Sequence, residues 1–256
     1  MTLPRRLDLL DLEAAHDDEL PTYEPTTAPE YTRRDYETPL HSYHLRQVDR
    51  KLHTFVPYGP AASTWYKVTT RSARLFSKKP ESEIWRISGQ EKRGEHMASI
   101  WFDDNGPLPW RPRAHFDHKA AQGQSTHAME SRNFVDWTVR VGDSTYLWTL
   151  GARPVSLELT EQASAQVIAR FIFSGRGMTA SGGADAGDLS IYHHALSGDT
   201  DGMEKIVSGM VVVLANFRKM GKYYWNEEKD LPARAGSVSG EAGVSHRASV
   251  TTYATL

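Results

Sequence analysis

Polar and apolar residues alternate along most of the middle of the chain. In "NFVDWTVRV" Val135, Trp137, Val139 and Val141 share one side, with Asp136, Thr138 and Arg140 on the other. "VSLELTEQ" repeats the pattern with Val155, Leu157 and Leu159 against Ser156, Glu158 and Thr160. "DLSIYHH" sets Leu189, Ile191 and His193 on a single side, which makes His193 a core-facing residue. A period of two built from Val, Trp, Tyr and Thr predicts half-buried antiparallel strands. Comparable runs occupy 43–48, 64–71, 83–88, 96–102, 144–150 and 166–173, separated by turn-forming clusters such as "DDNGPLP" and "SGGADAG". Many short strands in series predict a sandwich or a barrel.

One segment breaks the period. Within "KIVSGMVVVLANFRKMGKYYWN" (Lys205–Asn226) the run Ile206–Phe217 is apolar almost throughout. It is too short to cross a bilayer, which takes roughly 20 residues. On a helical wheel Ile206, Val207, Met210, Val211, Val213, Leu214 and Phe217 cover more than half the circumference, and mostly small residues fill the rest. Charges sit at the ends, Glu204 and Lys205 first, Arg218 and Lys219 last. Thr200 or Asp201 can cap the start and Gly221 marks the stop, so a helix is predicted over 203–220. A helix apolar nearly all round has to be enclosed. In a chain of strands the natural enclosure is a barrel. The fold prediction is therefore mainly β, an antiparallel β-barrel of about 10–12 strands around a C-terminal α-helix.

Residues 1–41 carry Asp, Glu, Pro and Thr with no sustained apolar period, and residues 229–256 are rich in Gly, Ser and Ala. Both read as tails flanking one barrel domain over 42–228. The chain has no cysteine, which removes thiolate nucleophiles and cysteine-based metal sites. A net charge of −2 gives no global attraction to nucleic acid. With no signal peptide and no transmembrane span in view, the expected location is cytoplasmic.

The order of strands followed by one hydrophobic helix resembles the tubby C-terminal, LURP-one and phospholipid-scramblase superfamily, in which such a helix threads a closed barrel. "TWYKVTTRSARLF" and "SEIWRISGQEKRGEHMASIWFDD" are similar to a fungal uncharacterised-function family assigned to that group, where a Thr/Trp-Tyr strand leads to a strand ending in Ile-Trp. The resemblance covers about residues 42–226. It implies a binding or adaptor role with no catalytic residue and no cofactor, and it implies anionic phospholipid headgroups as partners, peripheral at a membrane.

The residues offer three candidate sites. Arg71, Arg74, Lys78, Lys79 and Arg86 form a basic set over one strand and its loop, able to give charge-assisted bonds to phosphate oxygens; an ordinary solvated strand edge is the plainer reading. Leu20, Pro21 and Tyr23 in "LPTY", and Pro29 and Tyr31 in "APEY", are similar to Pro-Pro-x-Tyr ligands of WW domains, although both lack the first proline. The enzymatic alternative is a non-haem Fe(II) oxygenase. His115 and Asp117 make a His-x-Asp pair in what reads as a loop, and His193 or His194 would be the distal ligand.

Overall fold

A computed structural model describes residues 38–58, 64–71, 79–87, 94–103, 111–120 and 123–231. Twelve antiparallel strands run in chain order: β1 His41–Gln47, β2 Leu52–Tyr58, β3 Trp65–Thr70, β4 Ser82–Ile87, β5 Glu95–Phe102, β6 Arg113–Ala120, β7 Gly123–Ser131, β8 Trp137–Val141, β9 Ser144–Ala152, β10 Val155–Glu161, β11 Val167–Phe173 and β12 Ala184–Ile191. Each pairs with its sequence neighbour, and β1 pairs with β12 to close the barrel. One helix, α1, follows over Thr200–Lys219. The barrel and its helix are those the alternation and the apolar run predict.

Three strands escape the sequence reading: β2, β6 and β7. In β6 and β7 the inward positions are Ala114, Phe116 and His118, then His127, Met129 and Ser131. Small and polar residues at those positions hide the period of two, so "RAHFDHKA" reads as a loop although it is a strand. The reason lies in what these strands face, the polar first turn of α1.

The helix runs inside the barrel. Val207, Met210, Val212, Val213 and Phe217 are all inaccessible to solvent. Val211, Leu214 and Arg218 line a cavity with β1, β2 and β3, while Gly209 meets Trp148 of β9. Strands from opposite sides of a closed ring can both touch a helix only if it lies between them. Gly209 shows how closely they fit. A Cβ there would stand 2.9 Å from Trp148 Nε1. Around the helix Trp137 and Trp148, directly opposite in the β8–β9 pair, are fully buried. Burying each such aliphatic or aromatic side chain stabilises by about 1.5–3 kcal/mol. Among the described residues no helix is long and apolar enough to cross a membrane.

The helix begins three residues before the predicted start. Asp199, rather than Thr200 or Asp201, is the N-cap, its carboxylate accepting from Gly202 N at 2.6 Å. At the other end Gly221 has φ +68°, and the N–H groups of Gly221 and Lys222 donate to the carbonyls of Arg218 and Phe217. This is the Schellman arrangement, which uses up carbonyls that would otherwise be left without donors. The chain then folds under the barrel. Asn226 donates to the carbonyls of Val155 and Phe173 and accepts from Val155 N, tying the exit segment across β10 and β11.

Candidate functional site

The alternation that fills the interior also decides what the outside offers. On β7 and β8 the outward positions include Ala128, Glu130, Thr138 and Arg140, and Arg132 begins the turn between the strands. With Arg111 and Ser131 they line an open groove of about 640 Å³. Glu130 is the one acidic side chain lining it, 3.5 Å from Arg111 and 3.7 Å from Arg113. Four arginines thus surround one glutamate, a local surplus of positive charge on a chain whose net charge is −2. Among the described residues Arg132 and Arg140 form no ion pair, and Thr138 Oγ1 is buried without a hydrogen-bond partner. Guanidinium groups in this setting suit phosphate or carboxylate oxygens.

The turn beside the groove carries an exposed aromatic. Phe134 is 41% accessible and sits at φ +64°, a left-handed conformation that costs a bulky residue roughly 1–3 kcal/mol. Asn133 holds it there. Its Oδ1 accepts from the N–H groups of Val135 and Asp136, and its Nδ2 donates to Asp136 Oδ2. The braced turn thus presents an aromatic ring to solvent next to arginines.

The basic set expected around β3 and β4 is not one patch. Arg71 pairs with Glu83 at 3.0 Å, and Lys79 is exposed near the same end of β4. Arg86 stands at the other end of that strand and turns inward. Its Nη1 donates to Glu204 Oε1 at 2.9 Å and its Nη2 to Glu95 at 2.6 Å. Arg74 and Lys78 lie outside the described residues, as do Leu20, Pro21, Tyr23, Pro29 and Tyr31.

Arg86 belongs to an interior cluster that the sequence does not announce. Glu204 is 1% exposed and stands near the start of α1; its second oxygen accepts from His118 Nε2 at 2.8 Å. Tyr66 lies close enough to feel the Glu204 charge, although burial is what chiefly pushes its hydroxyl pKa upward. Burial also pushes Tyr43 up, to about 12. Ligand atoms of His118, Asp201 and Glu204 fall within 4.8 Å of one another, the spacing of a metal site. Two features weigh against a cation there. Arg86 already holds one Glu204 oxygen. His118 Nδ1 is buried without a hydrogen-bond partner, whereas a metal-bound imidazole ordinarily anchors its second nitrogen. The cluster is best understood as a buried carboxylate satisfied by two donors, locking the helix to β4 and β6.

The residues of the iron alternative are kept apart. His115 and Asp117 point outward on β6, His115 stacking on Trp101 and Asp117 accepting from Thr126 and Gln124. His193 is exposed just after β12, not core-facing as the alternation suggests, because the strand ends at Ile191. In a closed ring of twelve, β6 and β12 stand six strands apart in either direction, on opposite walls. His194 leaves from the same end of β12 and interacts with Glu161 and Tyr146, so it cannot complete the set either.

A signal for Glu204 exists in the sequence. It lies at i−3 and i−7 from Val207 and Val211, on an apolar face, where a carboxylate needs partners. Comparison with protein-family models, with curated proteins and with solved structures found no match.

Proposed function

We propose that this protein is a non-catalytic binding module that docks on anionic phospholipid headgroups through the outer face of β7 and β8. The observation that carries the reading is the groove lined by Arg111, Arg132 and Arg140 with Glu130 as its one acidic lining residue, and with Arg113 3.7 Å from that glutamate. The interior supports it from the other side. Among the described residues the helix fills the middle of the barrel, which favours binding at the surface. A helix-threaded barrel is also what the resemblance to the tubby and scramblase superfamily implies, and phospholipid is the partner implied there. The arginines contribute attraction of about 1 kcal/mol each near an anionic surface, and the Phe134 ring adds apolar burial at the headgroup boundary.

Vesicle co-sedimentation tests this. The protein should sediment with vesicles containing phosphatidylserine or a phosphoinositide, and not with neutral phosphatidylcholine. Arg132→Glu with Arg140→Glu should abolish sedimentation, and Phe134→Ala should weaken it several-fold. Equal binding to neutral vesicles, or full binding by the double charge reversal, would remove the proposal.

A further inference from the structure

At the C-terminal end of α1 the barrel holds a cation that no acidic group balances among the described residues. Arg218 extends from the last helical turn toward the β1–β2 wall, where its Nη2 donates to Gln47 Oε1 at 2.8 Å. Gln47 is itself buried and electrically neutral. Among the described residues no carboxylate comes within ion-pair distance of Arg218. Asp49, whose charge reaches His53, has its Oδ1 occupied by the N–H groups of Lys51 and Leu52 in the β1–β2 turn. The helix terminus offers little compensation, because the carbonyls of Asn216, Phe217 and Arg218 already accept from Met220, Lys222 and Gly221.

A second orphan faces the same space. His53 on β2 is 4% exposed, and its Nε2 is buried with no hydrogen-bond partner. His53 and Arg218 line a cavity of about 20 Å³ together with Thr70, Phe55, Val211 and Leu214. A cavity of this size holds one or two water-sized particles. Burial holds the imidazole pKa down, to about 3, with the Arg218 charge adding to the effect, so His53 is neutral and can donate without adding charge. Burial also brings the Arg218 guanidinium down to about 10, the mark of a desolvated cation lacking a counter-charge.

We propose that this cavity is a binding site for one small monovalent inorganic anion of chloride size, held between the Arg218 guanidinium and the His53 imidazole. The charge count sets the valence, since one positive group faces the cavity. The volume sets the size, since a phosphomonoester or a lipid headgroup is too large. The site is separate from the β7–β8 groove: β2 and β8 stand six strands apart in the ring. The ion would join β1 and β2 to the last turn of the helix, as Glu204 joins β4 and β6 to the first.

The experiment is thermal unfolding of the full chain with sodium chloride exchanged for sodium gluconate at constant ionic strength. Chloride should raise Tm saturably by about 3 °C or more, because a ligand bound only by the folded state stabilises by mass action. Bromide should substitute for chloride. The ³⁵Cl NMR line of added chloride should broaden with the protein and sharpen when bromide competes. Arg218→Gln and His53→Gln should each remove both effects, and His53→Gln decides the matter if Arg218→Gln does not fold. Equal Tm in chloride and gluconate with no line broadening would show that water fills the cavity. A chloride effect undiminished in His53→Gln would place the ion elsewhere, and either result overturns the proposal.

Discussion

The two ends of the central helix are locked to the barrel in opposite ways. At the N-terminal end a buried carboxylate, Glu204, meets two donors, and Arg86 is balanced further by Glu95. At the C-terminal end a partly buried guanidinium, Arg218, meets one neutral amide beside a small cavity. Desolvating a charge costs several kcal/mol unless partners replace the lost water. The first end has replaced it with protein, and the second leaves room for something else to do so. Satisfaction of every charge marks a fixed joint, and a deficit marks a place for a ligand.

The largest disturbance removes both ends together. Val213 is fully buried between them, and Val213→Asp should prevent folding, since an unpartnered carboxylate there costs several kcal/mol. Circular dichroism showing a native melting curve for this variant would mean that the helix is not enclosed. Next comes the closed joint alone. Glu204→Gln leaves Arg86 and His118 facing an amide, and should cost about 3 kcal/mol, less than a fully buried pair because Arg86 is partly exposed and keeps Glu95. Arg218→Gln in chloride-free buffer should cost under about 1 kcal/mol, because it removes one hydrogen bond together with an uncompensated charge. Denaturant titration of both variants sharpens the contrast; equal losses would erase it.

Acidity probes the open end. His53 has a folded pKa far below its unfolded value of 6.5, so the unfolded state binds the extra proton between those values. Stability is therefore complete above about pH 6.5 and falls as pH drops below it, with His127, also held down mainly by burial, adding to the slope. Glu95 and Glu161 are shifted downward from 4.5 and begin to matter only below that value. Urea midpoints measured from pH 7 to pH 5 should decline, and His53→Gln should flatten the decline. The smallest effect belongs to the outer wall. His115→Ala, on a ring stacked with Trp101, should change stability by about half a kcal/mol or less. Metal analysis of wild type and His115→Ala should show the same content; a metal lost in the variant would revive the oxygenase reading.

The sequence makes the barrel legible where strands face the apolar middle of the helix. Val135 to Val141, Val155 to Leu159 and the run Ile206–Phe217 announce themselves because their inward residues are uniformly apolar. Legibility fails where strands face the helix ends. His118, His127, Ser131, Arg86 and Gln47 point inward, yet each has a side chain ordinarily found outside. Reading Arg86 as part of a surface patch follows from its charge, and only its place in the Ser82–Ile84–Arg86 alternation points the other way. The β7–β8 groove is invisible for a different reason. Arg111, Arg132 and Arg140 are scattered through "RPRAHFDHKAAQGQSTHAMESRNFVDWTVR" and meet only once the hairpins are formed.

The ladder between β1 and β12 has a consequence for how the molecule comes into being. A ribosome delivers β1 first and β12 near the end, with the helix still later, so the ring cannot close until nearly the whole domain has emerged. For most of that time eleven hairpin-linked strands present an open, apolar trough with free strand edges, the form most prone to pairing with the wrong neighbour. Residues 184–219 then arrive as both the missing stave and the filling, and the partners of Glu204, Arg86 and His118, have waited since the first half of the chain. Assembly of this kind is governed by loop closure over long sequence separations and is slow on the scale of small domains. Until β12 and the helix emerge, the trough stays open.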